Sequence, residues 1–202
     1  MISHGALAEI AATVYRSPWS NTVEADVHYA LLPRDDEIVV ALPGTHPLDA
    51  LDWLRDVSIW PVRVRGLGFV HSGFGLGALG AWAQMAPVLS RSGLITFTGH
   101  SLGGALAICV AALHAYERPG VALRVVTFGA PRAGLLFPWL ALRLARAVER
   151  VEYARVGDIV PNVPMRPYLH AAPLTRIGAS AEDVLTNHAI SQYVADLKAL
   201  GV

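Results

Sequence analysis

The stretch "TFTGHSLGGALA", Thr96 to Ala107, sets one serine between glycines, where a β-branched apolar run gives way to a helix-like one. Gly99 to Gly103 fits G-x-S-x-G, a sharp strand-to-helix turn that exposes a serine hydroxyl. The dipole of the helix that follows favours a developing negative charge. Such a turn supports nucleophilic attack by Ser101. Only three positions of the pattern are fixed, however, and a helix-capping Ser101 in a packing turn accounts for the same residues. A hydroxyl also needs a base, and the base needs an orienting acid. In this topology the order along the chain is Ser, then Asp or Glu, then His. Asp158, in "RVGDIVPNVP", follows a predicted strand; it suits a turn cap or a mate for Arg155 equally well. His188, in "TNHAISQY", precedes the last predicted helix. His170 competes with it and His114 falls on a helix face. With eight histidines in the chain, spacing alone leaves the choice open.

These residues need elements to hold them. Helical spacing runs from Ser3 to Arg16, through Leu7, Ile10, Ala11 and Val14. "VEADVHYAL" alternates as a strand, and "EIVVALPGT" reads as a buried strand ending at Pro43-Gly44. "HPLDALDWLRDV" has Leu48, Leu51, Leu54 and Val57 at helical spacing, with Asp49, Asp52 and Asp56 between them. Helices are predicted over 73–89, 102–116, 135–148 and 189–200. Strands are predicted at "LITFTG", "LRVVTFGAP" and "RVEYARVGD". Strands alternating with helices imply an α/β fold with a mostly parallel, right-handed sheet. The 202 residues, without repeat or linker, imply one domain over 1–202.

Composition narrows the function classes. Hydrophobic residues make up 53% and charged residues 16%, so the chain either buries much or offers apolar surface to lipid or substrate. Net charge is +0 with no basic run, which argues against a nucleic-acid groove. The lone Cys109 permits no intrachain disulfide and reads as a small buried hydrophobe. The N-terminus does not read as a signal peptide, and no apolar run reaches the roughly 20 residues of a membrane span. A cytoplasmic protein is the default expectation, with export left open. No metal-ligand spacing and no phosphate loop appear, so neither cofactor nor metal is expected.

Six blocks in order resemble the class 3 lipases, the family of fungal triacylglycerol lipases with phospholipase and feruloyl esterase relatives. They are "LPGTHPLDALDWLRDV", "VHSGF", "TGHSLGGALA", "TFGAPRAG", "VGDIVPNVP" and "NHAISQY". The resemblance implies an α/β-hydrolase-type fold, with a mostly parallel central sheet and helices on both faces. It implies Ser101 as nucleophile, Asp158 as acid and His188 as base, and sets His170 outside the triad. Of the two oxyanion donors, one is the N–H of Leu102, the residue after the nucleophile. The other, by resemblance, is Thr45 after Gly44, which also suits a helix N-cap. Residues 46–56 align with the family's lid, where Leu48, Leu51, Trp53 and Leu54 would cover the acyl pocket or meet a lipid surface. A fixed surface helix is the alternative for that segment. His71, in "VHSGF", is expected to serve structure.

The chain departs from the pattern in places. It is shorter than the fungal members and has none of their disulfides. "PRAGLLF" lacks the polar residue usual after its glycine, Pro43 replaces an arginine, and two extra residues widen the lid segment. The expected function is hydrolysis of carboxylic esters, foremost triacylglycerols. Phospholipase A1 or short-chain esterase activity is the alternative with the same triad. A lipase-like binding protein without turnover is the non-enzyme alternative. The expected partner is a lipid or other carboxylic ester, with transient contact to a lipid interface.

Overall fold

The computed structural model describes residues 1–16, 21–22, 28–34, 36–44, 60–89, 93–135 and 139–202. In chain order the elements begin with α1 (His4–Thr13), β1 (Asn21–Thr22), β2 (His28–Arg34), β3 (Glu37–Leu42), β4 (Pro61–Val64), β5 (Gly68–His71) and α2 (Ser72–Leu89). There follow β6 (Leu94–His100), α3 (Leu102–Glu117), β7 (Ala122–Phe128), β8 (Gly134–Leu135), α4 (Trp139–Arg143) and β9 (Glu149–Arg155). The last are a 3-10 turn (Val160–Asn162), β10 (Tyr168–Leu169), β11 (Leu174–Ile177), α5 (Val184–His188) and α6 (Ile190–Leu200).

Among the described residues, seven strands form the main sheet in the order β1-β2-β3-β6-β7-β9-β11. From β3 onward every neighbouring pair is parallel; β1 and β2 add an antiparallel edge. The central strands are apolar on both faces, as parallel strands under helices must be. Val39, Val40, Ala41, Leu42, Val125 and Val126 are fully buried. One core cluster joins this sheet to α2 and α3, through Phe74, Met85, Ile108 and Leu113. A second joins its other face to α1 and α6, through Leu7, Phe128, Tyr193 and Leu197. Each such side chain contributes roughly 1.5–3 kcal/mol by leaving water. The fold is thus of the expected α/β-hydrolase type, with helices on both faces.

α3 lies at the centre of this packing. It is buried from Gly103 through His114, without the polar face of a surface helix. Its entry is fixed by close approach: a Cβ at Gly103 would fall on the Leu42 carbonyl, and one at Gly99 on the Gly103 backbone. Only glycines let strand and helix meet here.

The structure differs from the sequence reading in four places. Of the helix predicted over 135–148, the described residues form only α4: Leu135 pairs in β8, residues 144–148 leave the helix, and 136–138 lie outside the described ones. The short strands β4, β5, β8 and β10, which form a small antiparallel sheet, carried no sequence signal. β11, on the edge of the main sheet, was also unforeseen. The helix predicted from 189 is preceded by α5, capped by the Asp183 side chain on the Thr186 N–H. The chain then breaks at Ala189, which is extended, so His188 sits on a corner. In the predicted strand over 23–31, β2 starts at His28, and residues 23–27 lie outside the described ones.

Candidate active site

Ser101 sits between the end of β6 and the start of α3, with φ 57° and ψ −129°. Among the described residues it is the only non-glycine with positive φ. Such a conformation costs on the order of 1–3 kcal/mol and persists only where the surroundings impose it. Here its N–H donates to the Phe128 carbonyl at 3.0 Å, and its own carbonyl accepts from Gly104 N–H at 2.9 Å. The side chain makes no capping bond to α3, so the helix-cap alternative does not describe it. Its Oγ instead meets His188 Nε2 at 2.9 Å.

The other nitrogen of His188, Nδ1, lies 2.9 Å from Asp158 Oδ2. The carboxylate can only accept, so Nδ1 carries the proton and Nε2 is left to accept the Ser101 hydroxyl. Asp158 is 1% exposed, yet both of its oxygens are occupied. Oδ1 accepts from Val160 N–H at 2.9 Å. Oδ2 also accepts from the Tyr193 hydroxyl at 2.6 Å. Burial, with the Asp158 charge next, raises the Tyr193 phenol well above its usual range, which keeps it a donor. Asp158 is therefore not the mate of Arg155; the Arg155 guanidinium pairs with Asp196 at 2.5 Å.

Further residues position the base. His100 Nε2–H donates to the His188 carbonyl at 2.7 Å, and its ring lies 4.6 Å from the His188 ring. The Tyr15 hydroxyl donates to His100 Nδ1 at 2.8 Å, which fixes the His100 tautomer. Burial lowers the His100 pKa well below 6.5, and the neighbouring His188 adds to this. Arg155 Nη2 holds the Ala179 carbonyl at 2.9 Å. Asn187 ties down Ala181 and Asp183, so the loop before His188 is pinned. The sequence reading missed these supports. His100 and Tyr193 lay inside quoted blocks; Tyr15 carried no signal beyond an aromatic at the end of a helix.

His170 stands apart, with Nδ1 2.7 Å from Glu152 and Nε2 2.7 Å from the Pro161 carbonyl. His71 is buried against Phe74, ring centroids 4.3 Å apart, and burial lowers its pKa to about 4. Leu102 opens α3, so its N–H belongs to the first turn, where helix amides have no intrahelical acceptor. Thr45 and the proposed lid residues Leu48, Leu51, Trp53 and Leu54 lie outside the described residues. No group of three His, Cys, Asp or Glu side chains is arranged to hold a metal among the described residues. No helix among them is long and apolar enough to cross a membrane.

Residues 39–168, well over half of the chain, match the family model for lipase (class 3). The chain belongs to the class 3 lipase family. The match ends before His188, so the base candidate stands on geometry and on the "NHAISQY" block. Among this class 3 lipase's relatives, Lipase ZK262.3 of Caenorhabditis elegans is 37% identical over 110 residues, 49% of this chain. The chain spans only 30% of that relative's length. The triacylglyceride lipase of Rhizomucor miehei shares the fold, with a TM-score of 0.66 at 22% identity, over 86% of this chain and 77% of its own. A triacylglycerol lipase whose catalytic centre is a serine protease triad superposes with a TM-score of 0.62 at 25% identity. It covers 71% of this chain and 58% of its own.

Proposed function

We propose that this class 3 lipase hydrolyses carboxylic esters of lipids, foremost triacylglycerols, through an acyl-enzyme on Ser101. His188 takes the Ser101 proton as Oγ attacks the ester carbonyl. Asp158 holds the tautomer and faces the imidazolium that forms. The oxyanion rests on the N–H of Leu102 and on Thr45. His188 returns the proton to the leaving alcohol, and a water activated by His188 releases the acid. Residues 1–202 act as one domain, with 46–56 as a lid that exchanges contact with the acyl pocket for contact with a lipid surface.

The observation that carries this reading is the line of two 2.9 Å contacts, Ser101 Oγ to His188 to Asp158, below a serine held at positive φ. The family's name and the lipase relatives support it. A binding protein without turnover gains nothing from a strained serine aimed at an imidazole. A fluorophosphonate probe should label Ser101 alone. A chain-length series of chromogenic esters, with emulsified triglyceride and phospholipid, should give the highest kcat/KM on long-chain triglyceride. A maximum at acetyl or butyryl esters would make the protein a short-chain esterase, and one on phospholipid a phospholipase A1.

A further inference from the structure

The helix that follows Ser101, α3, ends beside a pocket of about 540 Å3. Tyr116 in its wall lies fourteen positions beyond Leu102, roughly 21 Å at 1.5 Å per residue. The β4–β5 hairpin contributes Arg63, Arg65 and Phe69; α3 contributes Tyr116; α4 contributes Trp139 and Arg143. Among the described residues, no carboxylate lines it.

Two of the arginines are held in place by their Nε groups. Arg143 lies 4.6 Å above the Tyr116 ring, and its Nε donates to the Gly66 carbonyl at 2.9 Å. Arg65 Nε donates to the Tyr116 hydroxyl at 3.3 Å. The terminal Nη groups of both make no protein hydrogen bond among the described residues. Gly66 and Gly68, at φ 89° and 81°, press the hairpin onto the Tyr116 and Trp139 rings, so the aromatic walls are fixed as well. Phe69 and Trp139 nevertheless remain 43% and 40% exposed. An adjoining cleft shares Arg143 and adds Arg118 and Arg146, again without a carboxylate. Arg63, Arg65, Arg118, Arg143 and Arg146 line these two clefts, with Glu117 close enough to act on the Arg65 charge.

Preset guanidinium forks with spare donors match a phosphate, sulfonate or carboxylate, and the rings beside them match a planar group. We propose that this pocket is a binding site for a small organic anion in which an aromatic ring carries such an oxyanion. Its volume suits a ligand of that size. A membrane surface fits less well, because docking this end to a bilayer would turn Ser101 away from it. The site does not depend on the ester-hydrolase reading.

Phenyl phosphate is the probe, titrated into full-length Ser101→Ala protein with calorimetric and tryptophan-fluorescence readouts. Saturable binding is expected, weakened about tenfold by the Arg65→Ser/Arg143→Ser pair and severalfold by Arg63→Ser, whose side chain makes no hydrogen bond or ion pair among the described residues. Inorganic phosphate and phenol should each bind several times more weakly, since each offers half of the recognition. In Trp139→Phe the fluorescence response should vanish while the calorimetric signal persists. Absence of saturable binding, or equal affinity in the arginine variants of unchanged melting temperature, overturns the proposal. So does binding to anionic phospholipid vesicles without binding to phenyl phosphate, which would make this end a membrane-facing patch.

Discussion

Two histidines lean on buried carboxylates that belong to one stretch of chain. Glu152 lies within β9, and Asp158 lies just past its end. In each pair Nδ1 meets the carboxylate, at 2.9 Å for His188 and 2.7 Å for His170. The difference lies at Nε2. In His188 it faces the Ser101 hydroxyl, which can donate. In His170 it faces the Pro161 carbonyl, which can only accept, so that nitrogen has no lone pair to offer. The His170 pair is a brace. It holds the Val160–Asn162 turn against β9, and that turn supplies the N–H that fixes Asp158 Oδ1. A carboxylate–imidazole pair therefore does not mark a base; what the second nitrogen faces does.

The largest test of this contrast removes the two reacting groups. Ser101→Ala and His188→Ala should each lower kcat on a chromogenic ester by on the order of 10⁶-fold, with the far-UV spectrum and melting temperature retained. His170→Ala should stay within about tenfold of wild type in kcat while lowering the melting temperature, because Glu152 loses a partner in the core. An essential His170 beside a dispensable His188 would invert the assignment.

The carboxylates come next. Asp158→Asn should cost on the order of 10⁴-fold in kcat, since the amide favours the wrong His188 tautomer. Glu152→Gln should act mainly on stability. Its Oε1 holds Ala172 N–H at 2.6 Å, so the variant loosens residues 170–172. Urea titration and kcat, measured on the same samples, separate the two outcomes; equal kcat losses for both variants would erase the distinction between base and brace.

The supports beyond these pairs should give smaller effects, graded by distance from the proton. Tyr193→Phe removes a hydrogen bond to the Asp158 charge, a contact worth roughly 1.5–3 kcal/mol, and keeps the ring packing against Phe128. A kcat loss of about tenfold with KM unchanged is expected. Tyr15→Phe acts one link further away, through His100, and should cost about threefold in kcat. A larger loss in Tyr15→Phe than in Tyr193→Phe would mean that the tautomer of His100, rather than the charge of Asp158, limits the base.

Much of this arrangement was legible in the sequence because its main strands are unambiguous. β3, β6 and β7 are β-branched apolar runs, and glycine marks the end of β6 and the close of "VTFG" after β7. Parallel order places Ser101 and Asp158 at the same strand ends. The start of the last helix was legible within one residue, but α5 before Ala189 was not: it rests on the Asp183 cap and on the hydrogen bonds made by Asn187 and His188. Tyr15 and Tyr193 carried no sign of their role, since nothing local tells a phenol that packs from one that also donates. In the small sheet, β8 and β10 have two residues each and pair across distant stretches of chain, and the β4–β5 hairpin has strands of only four residues, too short for alternation to register.

A third buried histidine sharpens the comparison by having neither partner. His114, on α3, is fully buried against the rings of Trp82 and Phe97, and neither ring nitrogen has a hydrogen-bond partner among the described residues. Burial lowers its pKa to about 4, with nearby Arg118 adding to the effect. An unfolded histidine titrates near 6.5. Between pH 6.5 and 4 the unfolded chain thus binds a proton that the folded chain refuses, so stability rises with pH across that window. Stability from neutral His114 is present above pH 6.5, falls as the pH drops toward 4, and is gone below. His71 and His100, also lowered by burial, add to the same slope. His114→Phe keeps the aromatic contact and removes the titration. Its unfolding free energy, measured by urea at pH 7, 5.5 and 4.5, should therefore fall less steeply than that of wild type, so that the variant gains on it as the pH drops. The slope should be reduced and not abolished, because the other two histidines remain. Parallel curves for the two proteins would mean that a proton reaches His114 in the folded state without cost, and that its unbonded nitrogens are not what sets it apart from His188 and His170.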